Sequence, residues 1–424
     1  MRHEWPRGKQ QVAASSQSVD DEGMHPRKRL DLAWSDLGTA LCVCVTADEA
    51  RARAHVEAMA GGEVWLATLS VRSALDLALT AHAWPRGTRV LVSSLTIPDM
   101  LRVLEAHGLV PVPIDVDPQT LEPDCAQAAR LLAVDVPAER PRAVLLAHLY
   151  GTRLDLAAWF EMARVHGLEV WEDAAQAWTG DGWCGDPRSD LVFLSFGPIK
   201  TGTALAGGLV RVRADGLRGA MRGLQRQWPL QTTRSYAARV LKYAGFKLIA
   251  TRAGFGLFDA LCRWRGTSSD AVISGSVRGF SREHLLVELR RRPCAALLAT
   301  MARRWSQGER ARVQQQRHLG EQLRDKLGPR APLVGAQARV RHHWVAAVRV
   351  HQPHALVQHL RAQGFDATTR ATLTCVGSAA STPQAASVAQ DLVYLPLHAE
   401  MGAHEVERLA RTVLTHASDA QSRP

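Results

Sequence analysis

Two short segments hold side chains that could do chemistry together. The first is Glu172-Asp173-Ala174-Ala175-Gln176, which follows the apolar run Leu168 to Trp171. A carboxylate at the end of a buried strand lies where an open α/β sheet presents its ligand-binding edge. The small alanines beside it would let a flat ring come close. The same aspartate would equally serve as a helix N-cap. The second segment runs Phe193-Leu194-Ser195-Phe196-Gly197-Pro198-Ile199-Lys200 and continues Thr201-Gly202-Thr203-Ala204-Leu205-Ala206-Gly207-Gly208. A strand ends at Ser195, turns through Gly-Pro, presents a lysine and passes into small residues that leave room for a bound group. A lysine forms a Schiff base only as its free amine, which a desolvated, cation-flanked site favours. Spacing alone also fits a solvated loop lysine.

These segments need a scaffold, and the flanking pattern supplies one. From about residue 35 to 215, short apolar runs alternate with amphipathic stretches. Strands are predicted at Arg89 to Val92, Val110 to Val116, Ala143 to Leu146, Leu168 to Trp171 and Leu191 to Leu194. Helices are predicted at Val71 to Ala81, Ile97 to His107 and Leu156 to His166. Such alternation implies a parallel sheet wrapped by helices, each crossover being long enough for a βαβ unit. Gly108 and Gly167 read as left-handed helix stops. Further helices are expected at Glu283 to Ser306, Arg310 to Leu327 and His354 to Gln363, with strands at Trp344 to Val350 and Val393 to Leu397. Residues 1–30 read as a flexible tail, 31–265 as a large domain, and 266–424 as a smaller α+β domain.

The stretch 226–265 is different, being basic and amphipathic. We read it as helices packing on the core or on a second subunit, the alternative being contact with a membrane or lipid-like substrate through 234–264. The formal charge of +11 is spread as single and paired basic residues. It lacks the long basic run or aromatic interleaving of a nucleic-acid binder, so no nucleic-acid partner is expected. No stretch approaches the ~18 apolar residues of a membrane span. The polar start lacks a signal-peptide core. Seven cysteines without CxxC spacing read as reduced thiols of a cytoplasmic protein. His342-His343 lacks a second ligand pair, so no metal is assigned. Trp178 and Trp183 read as packing residues rather than a substrate platform, and His148 as either a site residue or a hydrogen-bonded structural one.

Taken together, the two chemical segments resemble the DegT-type sugar aminotransferases. His148-Leu149-Tyr150-Gly151, Ala74-Leu75 opening a helix, Asp115-Val116-Asp117 after a strand and Leu395-Pro396-Leu397-His398 extend the resemblance over roughly residues 60 to 415. It implies an α/β fold type I enzyme dependent on pyridoxal 5'-phosphate (PLP), with a large, mainly parallel-sheet domain and a smaller C-terminal α+β domain. It also implies a homodimer. Lys200 would carry the cofactor and move the proton. Asp173 would pair with the ring nitrogen and keep it protonated, making the ring an electron sink. Gln176 would touch the ring or its 3' oxygen, Ser195 the phosphate. Ser70, Val71 and Arg72 at a helix opening would hold the phosphate, as helix N-termini hold anions.

This sequence departs from the family pattern at several of these places. Val71-Arg72 replace a Gly-Thr pair, and Arg72 would substitute a charged phosphate contact. Ile97 stands where an aromatic residue usually stacks. Leu205-Ala206-Gly207-Gly208 replaces Gly-Glu-Gly-Gly, and Gly279-Phe280-Ser281 stands for the neighbouring-subunit loop. The implied reaction is amino transfer, glutamate being the expected donor, to a keto sugar or related metabolite in a polysaccharide or secondary-metabolite route. A PLP reaction on a non-sugar substrate and a non-catalytic binding or regulatory relative are the alternatives. The related sugar dehydratases carry histidine in place of the lysine, and Lys200 argues against them.

Overall fold

The computed structural model describes residues 24–62, 64–133, 136, 140–249, 251–267, 284–308, 310–369 and 373–421. Seven strands form its main sheet: β1 (Trp65–Thr68), β2 (Arg89–Ser93), β3 (Val110–Ile114), β4 (Ala143–Ala147), β5 (Glu169–Asp173), β6 (Leu191–Ser195) and β7 (Gly208–Val212). Their order is β1-β7-β6-β5-β4-β2-β3. The strands from β6 to β3 are mutually parallel, whereas β7 runs antiparallel to both β6 and β1. The chain is thus a mixed α/β protein built on a mainly parallel sheet.

Alternation along the strands explains why both faces of the sheet are covered. Val90, Val92, Leu145 and Trp171 bury on one face beside Leu75 and Val103. Leu91, Val144, Leu146 and Val170 bury on the other beside Ala128 and Trp159. Successive side chains of a strand point to opposite faces, and a strand apolar at both parities needs helices on each side. Helices Val71–His82, Pro98–Ala106 and Ala157–His166 meet that need. The last ends at Gly167, whose left-handed φ of 67° places its N–H on the Ala163 carbonyl.

The expected helix from Glu283 to Ser306 is broken in two, Leu285–Leu289 and Ala295–Gln307. Pro293 lies in the gap, and proline can neither donate to a helical carbonyl nor fit behind one. Ala295–Gln307 buries Leu297, Leu298 and Met301 in the same cluster as Leu209 of β7. Its packing therefore lies with the large sheet, beyond the boundary expected at residue 265. A separate core gathers Leu319, Leu323, Phe365, Val393, Leu409 and Val413 around β8 (Ala346–Arg349) paired antiparallel with β9 (Leu392–Leu395). Asp115 ties the two cores. Its carboxylate accepts the backbone N–H groups of Gln384 (3.0 Å) and Ala385 (2.9 Å) in the first turn of helix Pro383–Asp391.

The basic stretch folds as helices Thr233–Ile249 and Arg252–Trp264. Tyr236, Val240 and Tyr243 face the core, while Leu241, Leu248, Leu257, Leu261 and Trp264 are exposed. Among the described residues no helix is long and apolar enough to cross a membrane.

Residues 24–30, assigned above to a tail, are held against the C-terminal core. The N–H of His25 donates to the Gly364 carbonyl at 2.8 Å, and the N–H of Asp366 returns to the His25 carbonyl at 2.9 Å. Arg27 pairs with Asp366. Asp31 then accepts the N–H of Gly202 at 2.7 Å. The segment thus bridges the small core and the Lys200 loop.

Candidate active site

Asp173 is the last residue of β5 and is buried. No helix begins there, so it caps none. Its Oδ1 accepts the N–H of Ala175 at 3.0 Å and turns the chain off the sheet edge. Burial pushes its carboxyl pKa up, while the Ala175 N–H and the charges of Lys200 and Arg72 pull the other way. A carboxylate so desolvated is one that a further cation nearby would stabilise.

Lys200 lies beyond the end of β6, on a loop pinned from several directions. The Ser195 hydroxyl accepts the N–H of Gly197, the Lys200 N–H donates to the Gly197 carbonyl, and Phe196 exchanges backbone bonds with Ala204 and Gly207. Burial lowers the Lys200 pKa to about 8; Asp173 raises it and Arg72 lowers it further. The ammonium sits 4.3 Å from the centre of the Trp344 ring, whose own N–H donates to the Ile199 carbonyl. Lys200 is therefore a desolvated lysine rather than a solvated one.

The opening of helix Val71–His82 completes the arrangement. Ser70 is its N-cap and accepts the Ser73 N–H at 3.1 Å. β7 passes directly beneath: a Cβ on Gly208 would lie 2.8 Å from the Val71 nitrogen and the Ser70 carbonyl carbon. Gly208→Ala should therefore push the helix opening off the sheet, with overpacking of about 1–3 kcal/mol. A thermal melt and a PLP titration, both on the variant, check this; unchanged values in both would show that the close approach is unimportant. Leu205 holds a left-handed φ of 68° at the position where the family pattern has glycine, a conformation costing a non-glycine residue about 1–2 kcal/mol. Its buried side chain belongs to the core cluster.

The other anticipated residues have definite places. Gln176 is buried and its Oε1 accepts the N–H of Tyr150 at 2.9 Å, holding the turn after β4. Arg72 pairs with Asp99 at 2.8 Å while still acting electrostatically on Lys200 and Asp173. Ile97 precedes helix Pro98–Ala106 and packs on the cluster that contains Val71 and Ala175. His148 is structural: Nδ1 accepts the Leu154 N–H at 3.0 Å, so Nε2 carries the proton it donates to Glu172 at 2.8 Å. Trp178 is buried against Phe196 and Trp305. Gly279-Phe280-Ser281 lies outside the described residues.

Three residues near Lys200 went unnoticed: Lys28, Trp344 and, as a site residue, His342. With Lys200 they line a small open cleft, together with Arg29, Asp31 and Arg312. Lys28 was placed in a polar tail, and no spacing rule links it to residue 344.

Comparison with known proteins bears on this geometry. The model of the DegT/DnrJ/EryC1/StrS aminotransferase family matches residues 50–255, a span that includes Asp173, Lys200 and the helix opening. The match covers just under half of the chain, which is similar to this family over that span. Within curated sequences, it is 34% identical over 187 residues to GDP-perosamine synthase of Caulobacter vibrioides, covering 44% of this chain and 48% of that protein. It is 32% identical over 147 residues to a pleiotropic regulatory protein of Geobacillus stearothermophilus, covering 34% of this chain and 38% of that protein. The matches thus span less than half the length of these relatives. In structure, the chain is similar to the aminotransferase TlmJ of Streptoalloteichus hindustanus, with a TM-score of 0.70 at 20% identity over 94% of this chain and all of that one. A putative sugar aminotransferase of Streptococcus pneumoniae in its PLP form gives 0.67 at 13% identity over 93% of this chain and 99% of that one. The chain therefore shares the fold of these solved aminotransferases, PLP fold type I.

Proposed function

We propose that the chain is a PLP-dependent aminotransferase moving an amino group from an amino acid, glutamate in the first instance, to a keto sugar or related keto metabolite, as a cytoplasmic homodimer. The observation that carries this reading is the pairing of a desolvated Lys200 with the buried carboxylate of Asp173 at the edge of a fold type I sheet. The family match and the relative named for perosamine synthesis support the sugar-like acceptor.

The residues present fit the cofactor. Asp173, whose burial favours a cationic neighbour, would hold the protonated ring nitrogen. The Ser195 hydroxyl and the N–H groups opened by Ser70 at the helix start would hold the phosphate. Gln176, beside Asp173, would border the ring, with Val71 and Ile97 as apolar neighbours. Arg72 would add positive charge near the phosphate even while paired with Asp99. When bound, PLP supplies an electron sink for the pair released from a substrate Cα–H bond. Lys200 then acts as base and acid, taking that proton and returning it. With a pKa near 8, its amine is partly free at neutral pH, as a general base requires.

A second reading, a binding or regulatory relative, draws on the regulatory name of the Geobacillus protein. One experiment separates the two. Purified protein is mixed with PLP, and its absorption spectrum is recorded before and after glutamate is added. The aminotransferase reading expects a visible band that glutamate replaces with near-ultraviolet absorption, and a keto acceptor restores. A colourless protein after PLP addition would sink that reading and leave the regulatory one. A band that no amino acid alters would point to a different PLP reaction.

A further inference from the structure

The cleft beside Lys200 carries four cationic side chains, Lys28, Arg29, Lys200 and Arg312, against the single carboxylate of Asp31. These cations are not equally neutralised. Arg312 is paired with Asp31 at 2.8 Å and with Glu400. Lys28 donates instead to the Trp344 carbonyl at 2.7 Å and lies 5.3 Å from the centre of the Trp344 ring. Lys200 lies over the same ring. Trp344 therefore carries two lysines, one expected to do the chemistry and one with no assigned work.

His342 also lines the cleft. It is 8% exposed, and neither ring nitrogen has a hydrogen-bond partner. A buried polar group left unpaired costs about 1–3 kcal/mol, so an unpartnered imidazole on a cleft wall favours a ligand that can accept from it. Burial holds its pKa near 4, with Arg153 lowering it further. The ring is therefore neutral at physiological pH and has one N–H to give.

We infer that Lys28 and His342 form an oxyanion site beside Lys200, which receives a carboxylate or phosphate group of the substrate. The backbone prepares this site. His25, Arg27 and Asp31 fasten the segment on both sides of Lys28, to Gly364 and Asp366 and to Gly202. The ammonium is thus fixed before any ligand arrives, which limits the ordering cost on binding. Burial first, and then the charge of Arg312, lower the Lys28 pKa to about 7, Lys200 adding to the effect and Asp31 and Glu400 opposing it. An arriving anion would stabilise the charged form and be held by it.

This inference rests on the reading of Lys200 as the cofactor lysine, and two anions can meet it there. One is the carboxylate of the amino donor; the other is a phosphate carried by the acceptor. Glutarate, a dicarboxylate without an amino group, and inorganic pyrophosphate stand for the two sources. Each is titrated calorimetrically into PLP-loaded wild type, Lys28→Met and Lys28→Arg. At least one probe is expected to bind wild type, to weaken tenfold or more in Lys28→Met, and to stay within about threefold in Lys28→Arg. Weakening confined to glutarate assigns the site to the donor, and weakening confined to pyrophosphate assigns it to the acceptor. If neither probe binds wild type, or Lys28→Met binds both as wild type does, the inference is overturned. A thermal melt of each variant guards against misfolding, and Lys28→Gln, expected to weaken the same probe tenfold or more, decides the case if Lys28→Met is unstable. Should the protein take up no PLP, the proposed function fails, and the same titrations on unloaded protein still decide the role of Lys28.

Discussion

Lys200→Ala should lower amino-transfer turnover by about four orders of magnitude, the upper end of what a positioned acid–base group contributes. It should also abolish the visible band while leaving the fold intact, because among the described residues no side-chain hydrogen bond of Lys200 secures the loop. The loop is held by the backbone bonds of Phe196, Ala204 and Gly207. A pH dependence accompanies this. An ordinary lysine captures an aldehyde faster as pH rises toward 10 and beyond. With its pKa lowered to about 8, Lys200 should show a PLP capture rate with its midpoint near pH 8 that levels off above about pH 9. Arg72→Leu removes a positive charge that lowers this pKa, so its midpoint should move up. Stopped-flow capture across pH 6 to 10 makes the test. A wild-type rate still climbing at pH 10, or turnover retained in Lys200→Ala, would remove Lys200 from its assigned role.

The largest expected loss of stability lies elsewhere, at Arg304. Its guanidinium is buried at 2% exposure and pairs with Asp36, itself 3% exposed, at 2.9 Å. It also donates to the Asp31 carbonyl at 2.7 Å. Arg304→Met leaves the Asp36 carboxylate buried with weaker compensation from Arg303 and Gln307, and removing one member of such a pair costs about 3–5 kcal/mol. Replacing both members leaves no buried charge, so Arg304→Met combined with Asp36→Leu should recover much of the loss. Urea unfolding midpoints for wild type, single and double variants provide the comparison. A midpoint for Arg304→Met indistinguishable from that of wild type would show that the pair is not needed to hold helix Trp34–Thr46 against Ala295–Gln307.

The five parallel strands were legible because each is a short apolar run, and β2 and β4 lead into helices that stop at Gly108 and Gly167. β1 and β7 were not. Trp65–Thr68 is buried on both faces and shows no alternation, and β7 opens on Gly208, which reads as loop. Antiparallel pairing with distant strands leaves no local mark in either. Asp173 and Lys200 could be found because their chemistry depends on position along one strand and one turn. Gln176 was noticed, but its bond to the Tyr150 N–H joins turns 26 residues apart. The pairing of Arg72 with Asp99 depends on how two helices meet. Lys28 was hidden by its surroundings: Pro-Arg-Lys-Arg is the composition of a solvated tail, and only the contact with Trp344 gives it a place.

That contact spans 316 residues, which sets an order of assembly during synthesis. A chain that has emerged from the ribosome through β7 contains all seven strands of the main sheet, together with Asp173, Lys200 and the helix opening. It lacks Trp344 and His342, and the Gly364 and Asp366 that hold the N-terminal segment are still to be made. Domains fold largely as they appear, earlier ones first, and contacts between distant residues close last. The lysine and its carboxylate can therefore come together well before the cleft beside them gains its far wall.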